Sequence, residues 1–334
     1  MLNIINLHIF ISNSIITKAQ LRMFFKNKFF VFFIFLLVTK SLFSQEENEE
    51  NIEESLPFDA VIESEMGGKR MKFYGNTRFN FNQAYFSNWI SGGESALTFL
   101  YGLDYNFNYS DRKGLVWDTN LSLSIGTTYI SGSEFLKKAD DRLEINSLLG
   151  QQINQFWNYS SFLKVETQLL PGFNFLNQDG IELRNKVSQF LSPAILQTGL
   201  GFYFKKSQSF WLNLSPITGR VIIVSKKYTN ELEEGFKYFG VDKNKGARYF
   251  FGALFDGYFK KEIAKNIIWE NKFNFYINYL EETKNVDFDW NANFRFKVNS
   301  VVSGTFIVHL LYDDDLLADL QVRELLGLGV NIDL

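Results

Sequence analysis

The chain has 334 residues, of which 46% are hydrophobic and 17% are aromatic, and its formal net charge is -3 at pH 7. This composition excludes a disordered chain, and the small net charge gives no indication of nucleic-acid binding. The absence of cysteine excludes disulfides, thiolate metal sites and a cysteine nucleophile.

The N-terminal region has the composition of a secretory signal. A start at Met23 is followed by two lysines, an apolar run over residues 29–38 and a small residue, Ser44, at the cleavage position. The alternative is a membrane-spanning helix, which needs about 20 apolar residues, and this run is much shorter. We therefore predict a signal peptide at residues 23–44, preceded by an upstream extension at residues 1–22.

An acidic segment follows at residues 45–70. It contains many glutamates and few large apolar residues before Phe58, so it buries too little apolar surface to offset the entropy of ordering. We predict a flexible linker here, and an acidic binding tail is the alternative. The next predicted domain comprises residues 71–334.

Alternating apolar and polar residues dominate residues 71–334. In the stretch 97–109, leucine, phenylalanine and tyrosine occupy the odd positions, whereas threonine, aspartate and asparagine occupy most even positions. The stretch 286–298 shows the same pattern, with phenylalanine and tryptophan on one face and charged or amide residues on the other. A period of two is typical of a β-strand with two different faces.

Both a soluble β-sandwich and a transmembrane β-barrel contain such strands. Sandwich strands average about five or six residues, whereas these segments exceed the roughly 9 to 11 residues that a tilted strand needs to cross a bilayer. A closed barrel in lipid also accounts for one apolar face and one charged face. We predict an all-β fold, a transmembrane antiparallel up-and-down β-barrel of about 12 strands.

Short turns and long loops alternate between the predicted strands, and both termini lie on the short-turn side. Pro216 and Gly219 interrupt one strand, and a split there would make the strand count odd, unlike the even number in bacterial barrels. The last strand ends on Leu334, whereas closing strands of outer-membrane barrels usually end on an aromatic residue. The predicted strands are 71–86, 95–110, 114–131, 141–153, 157–170, 190–205, 209–225, 248–260, 265–280, 285–299, 301–312 and 320–334.

The loop after the first strand contains the sequence AYFSNWISGGES. This motif resembles the signature of a family of Bacteroidota outer-membrane proteins known as domain of unknown function 3078. Further features that resemble this family are a strand that contains Trp117 and the later sequences KKADDRLEINS, GLGFYF, LSPIT and LLGLGV. The resemblance covers nearly the whole mature chain. It implies a location in the bacterial cell outer membrane and a barrel fold, and it carries over no catalytic residues because the family has no settled activity.

The same loop is a candidate functional motif. Its glycines allow backbone conformations or close approaches that a side chain would block, and Tyr85 and Trp89 would anchor the strand end at the bilayer surface. The alternative is a loop that folds inward, with Asn88 and Glu94 lining or constricting the lumen. The candidate residues are Phe86, Ser87, Asn88, Trp89, Gly92, Gly93 and Glu94.

Few residues suit catalysis or metal binding. Outer-membrane phospholipases need a serine and a histidine where lipid reaches them, but strand parity directs His309 into the lumen. The carboxylates Asp313, Asp314 and Asp315 could hold calcium, and an ordinary solvated loop is the alternative. We predict a non-enzymatic protein with no cofactor.

Strand parity directs charged side chains of both signs into the lumen, where they can cross-pair and fill much of the interior. We therefore predict a structural or accessory component of the outer membrane with a narrow or closed charged lumen. The alternative is a small-solute channel whose lumen charges and long loops set selectivity. The expected partners are outer-membrane lipid and an outer-membrane or periplasmic protein. The candidate lumen residues are Arg78, Arg142, Glu144, Lys164, Glu166, Glu270, Lys272, Asp287, Asp289, Arg295, Lys297, His309 and Arg323.

Overall fold

The computed structural model describes residues 62–66, 69–87, 93–178, 180–281, 286–299, 302–313 and 317–333. The predicted upstream extension, the predicted signal peptide and most of the predicted linker lie outside these residues. No helix among the described residues is long and apolar enough to cross a lipid bilayer.

The described residues are mostly β-strands. One short helix, α1 (Lys226–Thr229), lies in a long loop. The strands are β1 (Ile62–Met66), β2 (Lys69–Ala84), β3 (Ala96–Asp111), β4 (Leu115–Ile130), β5 (Lys137–Gln152), β6 (Trp157–Thr167), β7 (Gly172–Gln178), β8 (Ile181–Ser188), β9 (Ala194–Ser207), β10 (Phe210–Ile223), β11 (Lys237–Tyr238), β12 (Val241–Asp242), β13 (Ala247–Ala264), β14 (Ile267–Asn278), β15 (Asp287–Lys297), β16 (Val302–Asp313) and β17 (Leu317–Asp333).

Twelve of these strands form one closed antiparallel ring. The order around the ring is β2, β17, β16, β15, β14, β13, β10, β9, β6, β5, β4 and β3, and β3 pairs with β2 to close it. Where the first and last strands of the ring meet, Leu328 lies opposite Phe81 and Asp333 lies opposite Asn76. The predicted all-β barrel of about 12 strands is therefore confirmed in the part of the chain that the structure describes.

The ring has two different ends. At the turn end, short connections follow β3, β5, β9, β13 and β15, and β2 begins and β17 ends there. At the loop end, the longest connections are residues 168–193 and 224–246. This arrangement matches the alternation of short turns and long loops in the sequence.

Strand β10 continues past the proline that interrupts its sequence. Its pairing with both neighbouring strands shifts register around Pro216, which defines a β-bulge. A bulge accommodates proline because the extra residue needs no ladder hydrogen bond. Thr218 Oγ1 donates to the Ser215 carbonyl at 2.8 Å, and the Tyr279 hydroxyl donates to the Pro216 carbonyl at 3.1 Å. The strand is not split, so the strand count stays even.

Residues 62–66, which lie within the predicted linker, form a β-strand. Strand β1 pairs with the start of β2, with Ile62 opposite Phe73 and Met66 opposite Lys69. It occupies the edge of β2 beyond the point where β17 ends. The long loops also contain four short strands beyond the predicted ones, in which β7 pairs with β8 and β11 pairs with β12.

Apolar side chains cover the outer face of the ring. The rings of Phe79 and Tyr101 lie 5.0 Å apart, and Trp269 stacks on Phe294 at 5.9 Å. Such cross-strand pairs stabilise neighbouring strands by about 0.2 to 1 kcal/mol each. Phe81 and Leu326 nevertheless remain 53% and 72% exposed. The outer face is therefore apolar and uncovered by the protein itself.

Candidate functional site in the barrel interior

Charged side chains point into the barrel interior from strand positions that alternate with outward-facing aromatic residues. On β15, Arg295 is 8% exposed, whereas the next residue, Phe296, is 38% exposed. Arg295 lies opposite Thr305 of β16, and Lys297 lies opposite Ser303. Because successive side chains of a strand point to opposite faces, the other odd-numbered residues of β15 also face the interior.

Arg142 and Asp289 connect opposite walls of the barrel. Arg142 lies on β5 and Asp289 on β15, and these strands are six places apart in the ring of 12. The Arg142 guanidinium nevertheless lies 3.1 Å from Asp289, and it also contacts Glu144 at 2.6 Å and Glu166 at 3.2 Å. His309 Nε2 lies 2.8 Å from Asp289 Oδ1. The barrel interior is thus bridged across its full width.

Lys164 extends this bridging network along β6. Its Nζ atom lies 3.7 Å from Glu144 and 3.6 Å from Glu166. Two cations thus face three carboxylates in the network. Each carboxylate has a cation within salt-bridge distance, as buried charges require.

Arg220 forms a second bridge near the loop end. Its guanidinium donates to Asp287 at 2.7 Å and to Asp313 at 2.5 Å, which lie on β15 and β16. The guanidinium also lies 5.6 Å from the ring centre of Phe250 and 5.3 Å from that of Tyr276. Aromatic faces attract a cation, so these rings add to the two ion pairs.

Two further ion pairs join strands that are not neighbours. Arg323 of β17 lies 2.6 Å from Asp140 of β5, and Lys205 of β9 lies 2.6 Å from Asp118 of β4. The Tyr203 hydroxyl donates to the same Asp118 carboxylate at 3.1 Å. Charged side chains therefore connect the walls at several levels of the barrel.

A separate cluster of charged side chains lies nearer the turn end than the Arg142 network does. Arg78 donates to Asp104 at 2.5 Å, and Lys272 Nζ lies 3.6 Å from the other oxygen of that carboxylate. Ser122 also donates to Asp104, at 2.8 Å. Glu270 accepts a hydrogen bond from the Tyr258 hydroxyl at 3.0 Å.

A loop covers part of the loop end. Residues 224–246 place Val241 and the neighbouring Tyr238 and Phe239 in an apolar cluster with interior side chains such as Ile222 and Phe250. Val241 and Ile222 are both 0% exposed. The sequence predicts only a long loop here, since its few apolar residues recur at neither the strand nor the helix period. We call residues 224–246 the cap.

The cap also contacts the other long loop. The Tyr238 hydroxyl donates to the Val187 carbonyl, and the Ser225 backbone N–H donates to Ser192 Oγ at 2.8 Å. Burial is the main reason that the pKa of Tyr238 rises to about 12. The two loops therefore support each other over the loop end.

The β7–β8 hairpin attaches to the connection between β4 and β5 through one carboxylate. Glu182 accepts hydrogen bonds from Ser133 Oγ at 2.6 Å and from the Glu134 backbone N–H at 2.9 Å, and Lys137 lies 3.1 Å away. The Ser133 hydrogen bond is the main cause that lowers the pKa of Glu182. This hairpin is held by hydrogen bonds to a charged group.

The candidate loop motif is described only at its ends. Ser95 Oγ accepts a hydrogen bond from the Phe86 backbone N–H at 2.9 Å. Gly93 has a φ of +132°, and a Cβ atom there would lie 3.1 Å from the Phe86 ring. Glycine at this position allows both the backbone conformation and the ring contact. Ser87 and Glu94 are exposed beside them; Asn88, Trp89 and Gly92 lie outside the described residues.

The carboxylates do not form a metal site in the part of the chain that the structure describes. No group of three or more His, Cys, Asp or Glu side chains is arranged there to hold a metal ion. Asp313, a candidate calcium ligand from the sequence, is instead bound to Arg220. Asp314 and Asp315 lie outside the described residues.

The fold and interior define a closed antiparallel β-barrel whose inside is crossed by ion pairs. The model of the family described as "Protein of unknown function (DUF3078)" matches residues 81–173. That segment runs from β2 to the start of β7 and includes the candidate loop motif, so the resemblance inferred from the sequence is confirmed over it. Among curated proteins, none matches the chain.

Solved structures with similarity to this chain include three bacterial proteins. The translocator domain of the autotransporter NalP from Neisseria meningitidis is 6% identical, covering 80% of this chain and 89% of that chain, with a TM-score of 0.36. An outer membrane channel from Pseudomonas putida F1 is 10% identical, covering 81% and 96%, with a TM-score of 0.33. The β-domain of the Bordetella autotransporter BrkA is 8% identical, covering 79% and 97%, with a TM-score of 0.29.

Proposed function

We propose that this chain is a non-enzymatic barrel of the bacterial outer membrane whose interior is closed to solutes. The observation that supports this most strongly is the direct contact of Arg142 with Asp289 between opposite strands. In bacterial barrels the short turns face the periplasm and the long loops face outward, so the turn end would be periplasmic. The protein would serve as a structural or accessory component of the membrane.

The width of the barrel explains why this contact implies closure. An eight-stranded barrel is just wide enough for side chains to fill, and diameter grows with strand number. A circular ring of 12 strands would therefore keep opposite side chains apart. A distance of 3.1 Å between Arg142 and Asp289 requires the two walls to approach each other. Lys164 and its carboxylate partners occupy interior space along the β5–β6 wall beside this contact.

The outer face supports a lipid environment. Soluble monomers rarely leave contiguous apolar surface of this extent in water, because the hydrophobic effect favours covering it. Phe255 lies in the middle of β13, and its ring contacts the outward rings of Phe273 and Phe275. Lipid chains would bury these rings on the side that the protein leaves open.

An arginine on that face tests the membrane assignment. At the bilayer midplane, Phe255→Arg should reduce folding stability in lipid vesicles by about 2 to 4 kcal/mol. Lys113→Arg, in an exposed turn, is the control and should refold as the wild type does. Wild-type refolding yield and stability for Phe255→Arg would contradict a lipid-facing position.

A small-solute channel is the second candidate function. Asn76 Oδ1 and Asn108 Oδ1 are buried near the turn end and have no hydrogen-bond partner in the described part of the chain. Buried amide oxygens of this kind are usually satisfied by water, which favours a hydrated turn-end interior. Water in one half of the barrel provides no path through the Arg142 network, so we favour the closed barrel.

Conductance in planar lipid bilayers separates the two candidates. The refolded wild-type protein should insert without discrete openings, whereas an Arg142→Ala, Lys164→Ala double variant should conduct because the cross-wall cation and the long side chain beside it are gone. An Arg112→Ala variant controls for loss of positive charge at an exposed site. Discrete and reproducible wild-type openings would reject closure and favour the channel.

The partners we propose follow from the same location. Outer-membrane lipid would cover the apolar face, and an outer-membrane or periplasmic protein would bind the exposed loops or turns. Fractionation of cells and co-purification from native membranes test both points. Recovery of the mature protein in the aqueous fraction without detergent would contradict the location.

A further inference from the structure

Several cations lie in the interior near the turn end. Asp104 interacts electrostatically with Arg78, Lys272 and Arg295, and Glu270 interacts with Lys260, Lys272 and Arg295. Lys272 also interacts with Glu144 of the bridging network. Arg78, Lys260, Lys272, Arg295, Asp104 and Glu270 are called the cationic cluster below. A buried charge or hydrogen-bond donor without a partner is unfavourable unless an anion or water compensates it.

Arg295 is the member of the cationic cluster best placed to bind an added anion. It is more than nine-tenths buried and faces the interior. Its Nε atom has no hydrogen-bond partner among the described residues, and its guanidinium forms no ion pair with them. A buried arginine that lacks an acceptor is uncommon, because the unmet hydrogen-bonding capacity reduces stability.

A second unpartnered donor lies beside Arg295. Thr305 is its register partner on β16, and it is 3% exposed. Thr305 Oγ1 also has no hydrogen-bond partner in the described part of the chain. A guanidinium and a hydroxyl side by side can donate to separate oxygens of one tetrahedral anion. Arginine is especially suited to such oxyanions because its planar N–H groups bind two oxygens at once.

We propose that the turn-end interior is a binding site for a tetrahedral oxyanion such as phosphate, held by Arg295 and Thr305 with Lys272 and Lys260 nearby. The guanidinium of Arg295 can bind two oxygens of such an anion while the Thr305 hydroxyl binds a third. A planar carboxylate has only two oxygens, so it should bind more weakly. The site requires access from the turn end only, so it is independent of whether the barrel conducts.

Calorimetric titration of the refolded protein in detergent micelles with inorganic phosphate tests the site. The total ionic strength is held constant with chloride, and acetate is titrated in parallel. Wild type should bind phosphate more tightly than acetate, and its thermal unfolding midpoint should rise with phosphate concentration. Arg295→Gln should weaken phosphate binding by about tenfold or more, since it removes charge-assisted hydrogen bonds.

Two milder variants and one control keep the test informative if Arg295→Gln fails to fold. Thr305→Val removes a hydrogen-bond donor without changing the charge. Arg295→Lys keeps the charge but lacks the planar guanidinium group that can bind two oxygens at once. Both should bind phosphate more weakly than wild type. Arg323→Gln removes an interior arginine that is already paired with Asp140, and it should keep wild-type affinity. Weaker binding in the first two variants alone supports the proposal.

Three results would overturn the proposal. The first is a wild-type protein that binds no phosphate beyond the matched chloride control. The second is equal affinity in wild type, Arg295→Gln and Thr305→Val. The third is an equal loss of affinity in Arg323→Gln, which would attribute binding to the overall charge of the interior and not to this site.

Discussion

The two halves of the barrel interior differ in which charge is scarce. Near the loop end, Arg142 and Lys164 face three carboxylates, and Arg220 forms ion pairs with both Asp287 and Asp313. Near the turn end, Asp104 faces three cations. Removal of the scarcer charge leaves several opposite charges buried together. The sign of the lost charge should therefore decide how strongly a substitution destabilises the interior.

Replacement of Arg220 should give the largest effect. Arg220→Gln leaves two buried carboxylates without their shared cation, which should lower the free energy of unfolding by about 3 to 5 kcal/mol. Urea unfolding in detergent micelles measures this loss. The matched turn-end variant Arg295→Gln should keep at least wild-type stability in phosphate-free buffer. An equal loss in both variants would abolish the distinction between the two halves.

Removal of a turn-end carboxylate should be the next largest effect. Asp104→Asn removes the acceptor of Arg78 and Ser122 and leaves Glu270 as the carboxylate of the cationic cluster. The loss of charged hydrogen bonds should lower the free energy of unfolding by about 2 to 3 kcal/mol. Glu166→Gln, which removes one of three carboxylates near Arg142, is the control. A greater loss for Glu166→Gln would reverse the comparison.

The cap should contribute less, and its effect should be confined to the loop end. Val241→Ala removes buried methyl groups, which should destabilise the packed cap locally by about 2 kcal/mol. Hydrogen exchange of amides in residues 224–246 measures the local opening. Phe236→Ala in the same segment is the control, because Phe236 is exposed. Faster exchange at the turn end would show that the halves are not independent.

The smallest predicted effect is a pH dependence at the β7–β8 hairpin. The pKa of Glu182 is lower in the folded protein, so its contribution is present above the ordinary glutamate pKa and is lost as pH falls through the folded value. The NMR shift of the Glu134 amide, which donates to Glu182, should titrate below that ordinary value. Glu182→Gln should abolish this titration. A midpoint at the ordinary glutamate pKa would contradict the hydrogen-bonded hairpin.

The wall of the barrel is predictable from the sequence, because a period of two is a local property of each strand. The predicted interval 209–225 corresponds to β10 at Phe210–Ile223, although the bulge at Pro216 is not visible in the periodicity. Strand β1 is not predictable from the alternation, because its composition is similar to that of the acidic segment before it. Local pattern therefore gives the strands but not every irregularity.

The arrangement of the interior is less predictable, because it depends on distances between walls. Parity directs Arg142 and Asp289 inward, but they are 147 residues apart and nothing local indicates that they meet. The cap poses the same problem, since Val241 and Tyr238 are buried only when the loop folds over the barrel. Arg220 was not among the candidate residues because the proline in β10 obscured the parity of that strand.

Thiol labelling from each side of the membrane tests the closed interior most directly. The chain contains no cysteine, so Lys297→Cys at the turn end and Glu281→Cys at the loop end each introduce a single thiol. In vesicles with the barrel inserted in one orientation, a small charged reagent added on the loop side should label position 281 and leave position 297 unmodified. The same reagent added on the turn side should label position 297. Equal labelling rates at position 297 from both sides would contradict closure.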